Sequence, residues 1–162
     1  MNKEGQIDLS FGMIFSIIII IAIIGVSIYV ITNFIRLEKC SNVGLFYNDL
    51  KNEVDKAWSS TIYRDIFSGK LPNGIEMVCF GELSSARPNG KEGEVYDFLL
   101  RYKRQDKNVF IYPTQNACDS NLAFYKLENA KIEGFFCIPA EKGVVKIGLE
   151  KDRFDELVKL NR

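Results

Sequence analysis

The chain contains no histidine. That excludes Ser-His-Asp and Cys-His nucleophilic arrangements, and it removes the imidazole ligand from any zinc site. Net charge is also missing, since 21 Lys+Arg balance 21 Asp+Glu in 162 residues. A balanced chain offers no field to steer a polyanion, so nucleic acid is not expected as a partner. There is no Walker loop, no G-x-G-x-x-G, no H-E-x-x-H and no C-x-x-C. The Asn-x-Ser/Thr acceptor is absent too, which bears on location in neither direction. With no nucleophile–base pair and no ligand cluster in view, neither a catalytic residue nor a metal or other cofactor is expected.

Charge is absent in a second, local sense. Residues 9–35 hold 27 positions without one Asp, Glu, Lys or Arg, including five consecutive isoleucines at 17–21. A bilayer core of ~30 Å needs about 20 helical residues, so the run predicts a transmembrane helix with some tilt to spare. A cleavable secretory signal would have a shorter apolar region, ending in a small-x-small site. Tyr29-Val30-Ile31-Thr32-Asn33-Phe34 offers none.

Two observations compete over orientation. Lys3 precedes the span, whereas Arg36 and Lys39 follow it, which by the positive-inside rule puts the large C-terminal part in the cytoplasm. The cysteines argue the reverse. Cys40, Cys79, Cys118 and Cys137 all lie beyond the span, and an even set of this kind predicts two disulfides in an oxidising compartment. Their spacings of 39, 39 and 19 residues match no zinc knuckle. The domain is therefore expected outside the cytoplasm. Four cysteines allow three pairings. Cys79 and Cys137 both fall in predicted strands, so their union is preferred, leaving Cys40 with Cys118.

After the span, Leu37, Cys40, Val43, Tyr47, Leu50, Val54, Ala57 and Trp58 recur in steps of three and four, opposite Glu38, Asn48, Asp49, Asn52, Glu53 and Asp55. That spacing marks one face of an amphipathic helix. Neither proline nor a turn cluster separates it from the apolar run, so one helix of about 50 residues is expected. A break near Asn33 is the alternative.

Residues 61–74 read as a connection, with a short helical turn at 63–67 and a turn at Leu71-Pro72-Asn73-Gly74. Strands are expected at 75–83, 95–102, 109–112, 122–127, 131–138 and 144–149, with an exposed loop at 84–93 and a hairpin turn at Glu141-Lys142-Gly143. Asp152 is expected to cap a final helix bearing Phe154, Leu157 and Val158. The predicted class is α+β: a long N-terminal transmembrane helix continuing as an amphipathic helix, packed on a mainly antiparallel sheet, with a short C-terminal helix. The predicted parts are a leader or cytoplasmic N-terminus at 1–8, the span at 9–35, its extension at 36–60 and a β-rich domain at 61–162.

In the helical extension, Asp49, Glu53 and Asp55 read as a solvated helix face. Asp119 and Asn121, beside Cys118, lack the ligand periodicity of an EF-hand. Phe110, Tyr112, Phe124, Tyr125, Phe135 and Phe136 could line a carbohydrate-binding surface, but strand aromatics more often form core.

The opening Lys3-Glu4-Gly5-Gln6-Ile7-Asp8-Leu9-Ser10, set directly before the apolar run, resembles archaeal class III signal peptides. The resemblance implies cleavage between Gly5 and Gln6, with the apolar helix kept as the assembly helix of a type IV pilin-like subunit. Partners would then be the lipid bilayer and, through the helix, copies of the chain or other pilin-like subunits. The family's pattern is Gln-x-Ser-x-Glu, whereas this chain has Asp8 and Ser10 in the last two places. The missing glutamate would neutralise a neighbour's amino terminus inside an apolar bundle, where an unpaired charge is costly. Either Asp8 substitutes from two residues away, or the protein is pilin-like without polymerising. The leading expectation is a non-enzymatic structural or adhesive subunit in the cell membrane. The alternative is an unprocessed, stand-alone surface module for binding or sensing.

Overall fold

Helix α1, Phe11–Ser59, continues for 49 residues without interruption, in a computed structural model that describes residues 11–119 and 121–162. The break near Asn33 does not occur. Polar side chains in this stretch bond back to their own helix: Asn33 Nδ2 and Thr32 Oγ1 each donate to Tyr29 O at 2.9 Å, and Ser27 Oγ to Ile23 O at 2.7 Å. Such back-bonding satisfies a hydroxyl or amide without opening the helical ladder.

The chain divides into two compact units, one ending at Leu37 and the other Glu38–Arg162. Helix α1 contributes to both. In the second unit its inward face is Val43, Phe46, Tyr47, Leu50, Val54 and Ala57, all buried. The expected stripe therefore holds from Val43 to Ala57 and gains Phe46. Its two ends do not hold, because Leu37 is 66% and Trp58 45% exposed.

Among the described residues eight strands follow, where five or six were expected. β1 is Tyr63–Lys70, β2 Met77–Gly81, β3 Val109–Tyr112, β4 Phe124–Tyr125, β5 Ala130–Ile132, β6 Phe135–Pro139, β7 Val144–Lys151 and β8 Val158–Asn161. They form two four-stranded sheets, ordered β1-β7-β8-β5 and β4-β3-β2-β6. Every pairing is antiparallel except β5 with β8. Helix α1 packs on both: Phe46 meets Phe67 of β1 edge-on, and Tyr47 stacks on Tyr125 of β4. The core joins Phe80 and Phe110 of one sheet and Ile147 and Leu149 of the other to Leu50 of the helix.

The α+β class and its long N-terminal helix stand, and four local expectations are corrected. The supposed connection at 61–74 contains β1 in place of a helical turn, with Phe67 and Gly69 facing inward. The supposed strand at 95–102 is helix α2, Gly90–Leu99, followed by a 3₁₀ turn at Leu100–Gln105. Val95, Tyr96 and Leu99 are buried there at helical spacing, and α2 also takes up the end of the expected 84–93 loop. The strand expected at 131–138 is cut at Gly134, φ +76, into β5 and β6, which belong to different sheets. The helix expected from Asp152 is a turn leading into β8. Asp152 N–H donates to the Asp155 carboxylate, and Asp155 N–H to Asp152 O, both at 3.0 Å. The short helix of the fold is thus α2, and the chain ends on a strand. The Glu141-Lys142-Gly143 turn is present with two reciprocal bonds between Glu141 and Val144, and it links strands of different sheets.

One glycine is indispensable to the β2–β6 pairing. At φ +125, Gly81 sits so close to Gly134 that any Cβ would collide with the Gly134 carbonyl.

Candidate functional site

Among the described residues, α1 is the one helix long and apolar enough to cross a membrane, and its most apolar 18 residues are entirely unburied. Ile18, Ile21, Ile24 and Val30 are each more than half exposed. A soluble unit of this size does not present so many contiguous apolar side chains to water. The segment is compatible with hydrocarbon: it carries no charge, and the side chains of Ser16, Ser27, Thr32 and Asn33 bond to carbonyls of their own helix. Gly5 and Gln6, which carry the processing expectation, lie outside the described residues, as do Asp8 and Ser10.

The second unit carries two disulfides, Cys40–Cys118 and Cys79–Cys137, with no free cysteine among the described residues. Cys79 and Cys137 face each other in the β2–β6 register, so the ladder itself sets their meeting. Both are buried, at 0% and 5% exposure. Cys40 leaves helix α1 to meet Cys118 in the loop after the 3₁₀ turn Thr114–Asn116, where Cys118 has φ +75. The pairing is the one preferred from the strand assignment.

The acidic residues weighed as reactive groups are engaged locally. Glu53 accepts from Lys56 at 2.8 Å and from the Tyr63 hydroxyl, and these bonds hold its carboxyl below the usual range. Asp55 accepts from Lys51 at 2.5 Å and Asn129 at 3.1 Å, with the same effect. Asp49 is exposed on the helix. The Asp119 carboxylate accepts the Asn121 N–H at 2.9 Å, a turn closing on itself. No group of three or more acidic or thiol side chains that could hold a metal occurs among the described residues.

The six aromatics weighed as a carbohydrate platform divide by position. Phe110, Phe124, Phe135 and Phe136 are buried, and Tyr112 and Tyr125 are half-buried. Their rings pack on one another: Phe110 lies 6.1 Å from Phe124 and 6.3 Å from Phe135, both core contacts.

A groove of about 640 Å³ runs between residues 86–88, Gly134–Phe136 and the end of β8. Four cations line it, and each is already matched. Arg87 forks onto Asp97, Lys131 meets Glu133 at 3.1 Å, Lys159 meets Asp155 at 2.9 Å and Arg162 meets Glu92 at 2.6 Å. Arg162 also lies over the Phe136 ring, 5.6 Å from its centre. The groove therefore offers no cation that is not already paired, and Glu150 adds a further carboxylate to its wall.

The feature that sequence reasoning missed is strand β1. Arg64, Asp65 and Ile66 are exposed in succession, so its period-2 signal is confined to Phe67 and Gly69. Compared with protein-family models, curated proteins and solved structures, the chain matches none of them.

Proposed function

We propose that this protein is a single-pass, membrane-anchored subunit that displays its disulfide-braced α+β unit outside the cytoplasm, in a structural or adhesive, pilin-like role and without catalysis. The observation that carries this reading is helix α1. An exposed, charge-free half passes without interruption into a half whose face is part of a folded core. An anchor built this way is continuous with what it holds. The two disulfides favour an oxidising compartment for Glu38–Arg162 over the cytoplasmic placement suggested by Arg36 and Lys39. Partners on this reading are the bilayer and, through the apolar helix, further subunits.

A second reading, an unprocessed surface module that binds or senses alone, is favoured by one observation: Ser10 stands where the pilin-like pattern has glutamate. Intact mass of the chain taken from native membranes, without reductant, separates the two. Loss of Met1–Gly5 supports the pilin-like reading. A chain that keeps Gly5 and stays monomeric supports the stand-alone module.

A further inference from the structure

Two sheets have four edges, and the fold closes three of them. β4 offers two residues and β5 three, too short to template a partner strand. β6 is buried from Phe135 to Ile138. The remaining edge is β1, eight residues long, with Arg64, Asp65, Ile66, Ser68 and Lys70 exposed.

The direction of its backbone groups follows from one bond. Leu71 N–H donates to Gly143 O at 2.8 Å, one step beyond the Lys70–Val144 pair. Bonded pairs alternate along an antiparallel ladder, so Gly69, Phe67, Asp65 and Tyr63 direct their N–H and C=O groups to β7. Lys70, Ser68, Ile66 and Arg64 therefore direct theirs outward. Among the described residues one of these groups has a partner, the Ile66 N–H, which donates to the Asp65 carboxylate at 2.7 Å. Ile66 itself is 65% exposed.

We propose that β1 pairs with β1 of a second copy of this chain, antiparallel, about a two-fold axis at Ile66. Outward groups meet only when even-numbered residues face even-numbered residues, which restricts the axis to single positions. An axis at Arg64 or Asp65 sets that residue against its own copy, and an axis at Phe67 sets Arg64 opposite Lys70. Like charges directly opposite are destabilising. Axes nearer either end shorten the overlap. At Ile66 the two exposed isoleucines cover each other, Arg64 faces Ser68 and Asp65 faces Phe67, with no like charges opposed. Pairing requires the Asp65 carboxylate to release the Ile66 N–H, so this acid guards the edge of the single chain. β1 lies wholly in the folded unit, so the pairing does not depend on the anchored-subunit reading.

The test is cross-linking of the full chain in mild detergent, with native disulfides intact and bridges located by peptide mapping. Residues on the axis have Cα atoms about 5.5 Å apart, within disulfide reach. Arg64 and its counterpart are offset by four residues, roughly 13 Å. Ile66→Cys is expected to give a 66–66 bridge at twice the chain mass. Arg64→Cys alone should stay monomeric, and Arg64→Cys with Ser68→Cys should cross-link. Adding Ser68→Pro to Ile66→Cys, which removes an outward N–H and leaves the β7 bonds in place, should abolish the bridge. Monomer at Ile66→Cys, or equal cross-linking at Arg64→Cys, overturns the proposal.

Discussion

The Tyr47 and Tyr125 rings stack with centres 4.6 Å apart and planes 15° from parallel, joining helix α1 to strand β4. Tyr47 is 5% exposed and donates its hydroxyl to Leu122 O at 2.9 Å. Burial, reinforced by Tyr125, pushes its phenol far above the ordinary tyrosine range. A tyrosine in the unfolded chain ionises near pH 10. The folded unit keeps Tyr47 neutral, so its contribution is fully present below that pH and is lost as pH rises beyond it. Thermal unfolding of the full chain should therefore decline steeply from about pH 10 upward. Tyr47→Phe should flatten that decline, and at neutral pH it should cost about 1 kcal/mol for the lost hydrogen bond. An unchanged alkaline slope in the variant would assign the loss to other groups.

Helix α1 has two faces in the folded unit, and substitutions should tell them apart. Leu50→Asp or Val54→Asp places a charge at a site with no exposure and should cost more than about 3 kcal/mol. Asn48→Asp and Asn52→Asp, on the exposed face, should stay within about 0.5 kcal/mol. Denaturant midpoints of the four variants check this, and equal tolerance at all four would contradict the buried stripe.

How much of this could be read in advance depended on how one-sided each element's surroundings are. Helix α1 was legible because its first half has no charge at all and its second half buries one face. The Cys79–Cys137 union was legible because both residues fall in short, continuous apolar runs that read as buried strands, although the register that sets them opposite was not. Residues 95–102 misled because Val95, Tyr96, Phe98 and Leu99 fit a short strand as well as a helix, and only the packing of Val95, Tyr96 and Leu99 decides. Phe154 gave a false helical stripe, since it is 93% exposed. β1 was missed because Arg64, Asp65 and Ile66 are exposed in succession, which hides the alternation that Phe67 and Gly69 keep. The processing residues Gly5 and Gln6 have a sequence signature and no described geometry.

The disulfides should be visible in stability. Each closes a long loop and is expected to contribute ~2–4 kcal/mol, so reduction should lower the melting temperature of the full chain by many degrees. Thiol counting under denaturing, non-reducing conditions should find none free. Four free thiols, with a melting temperature indifferent to reductant, would remove the main argument for an oxidising compartment.

Topology has its own measurement. A membrane-impermeant protease added to intact cells should remove sequence beyond Cys40. Complete protection would place Glu38–Arg162 in the cytoplasm, in line with Arg36 and Lys39.

The two bridges also interlock in sequence, since Cys79 lies inside the loop closed by Cys40–Cys118 while Cys137 lies outside it. A pull entering the folded unit at Glu38 meets the first bridge two residues later and crosses it to Cys118. The 78-residue separation between those cysteines is thereby withdrawn from the length the chain could pay out under tension. At roughly 3.4 Å per residue, about 260 Å of slack is locked away. Strained between its two ends, the oxidised unit behaves as a short tether even after its sheets have come apart.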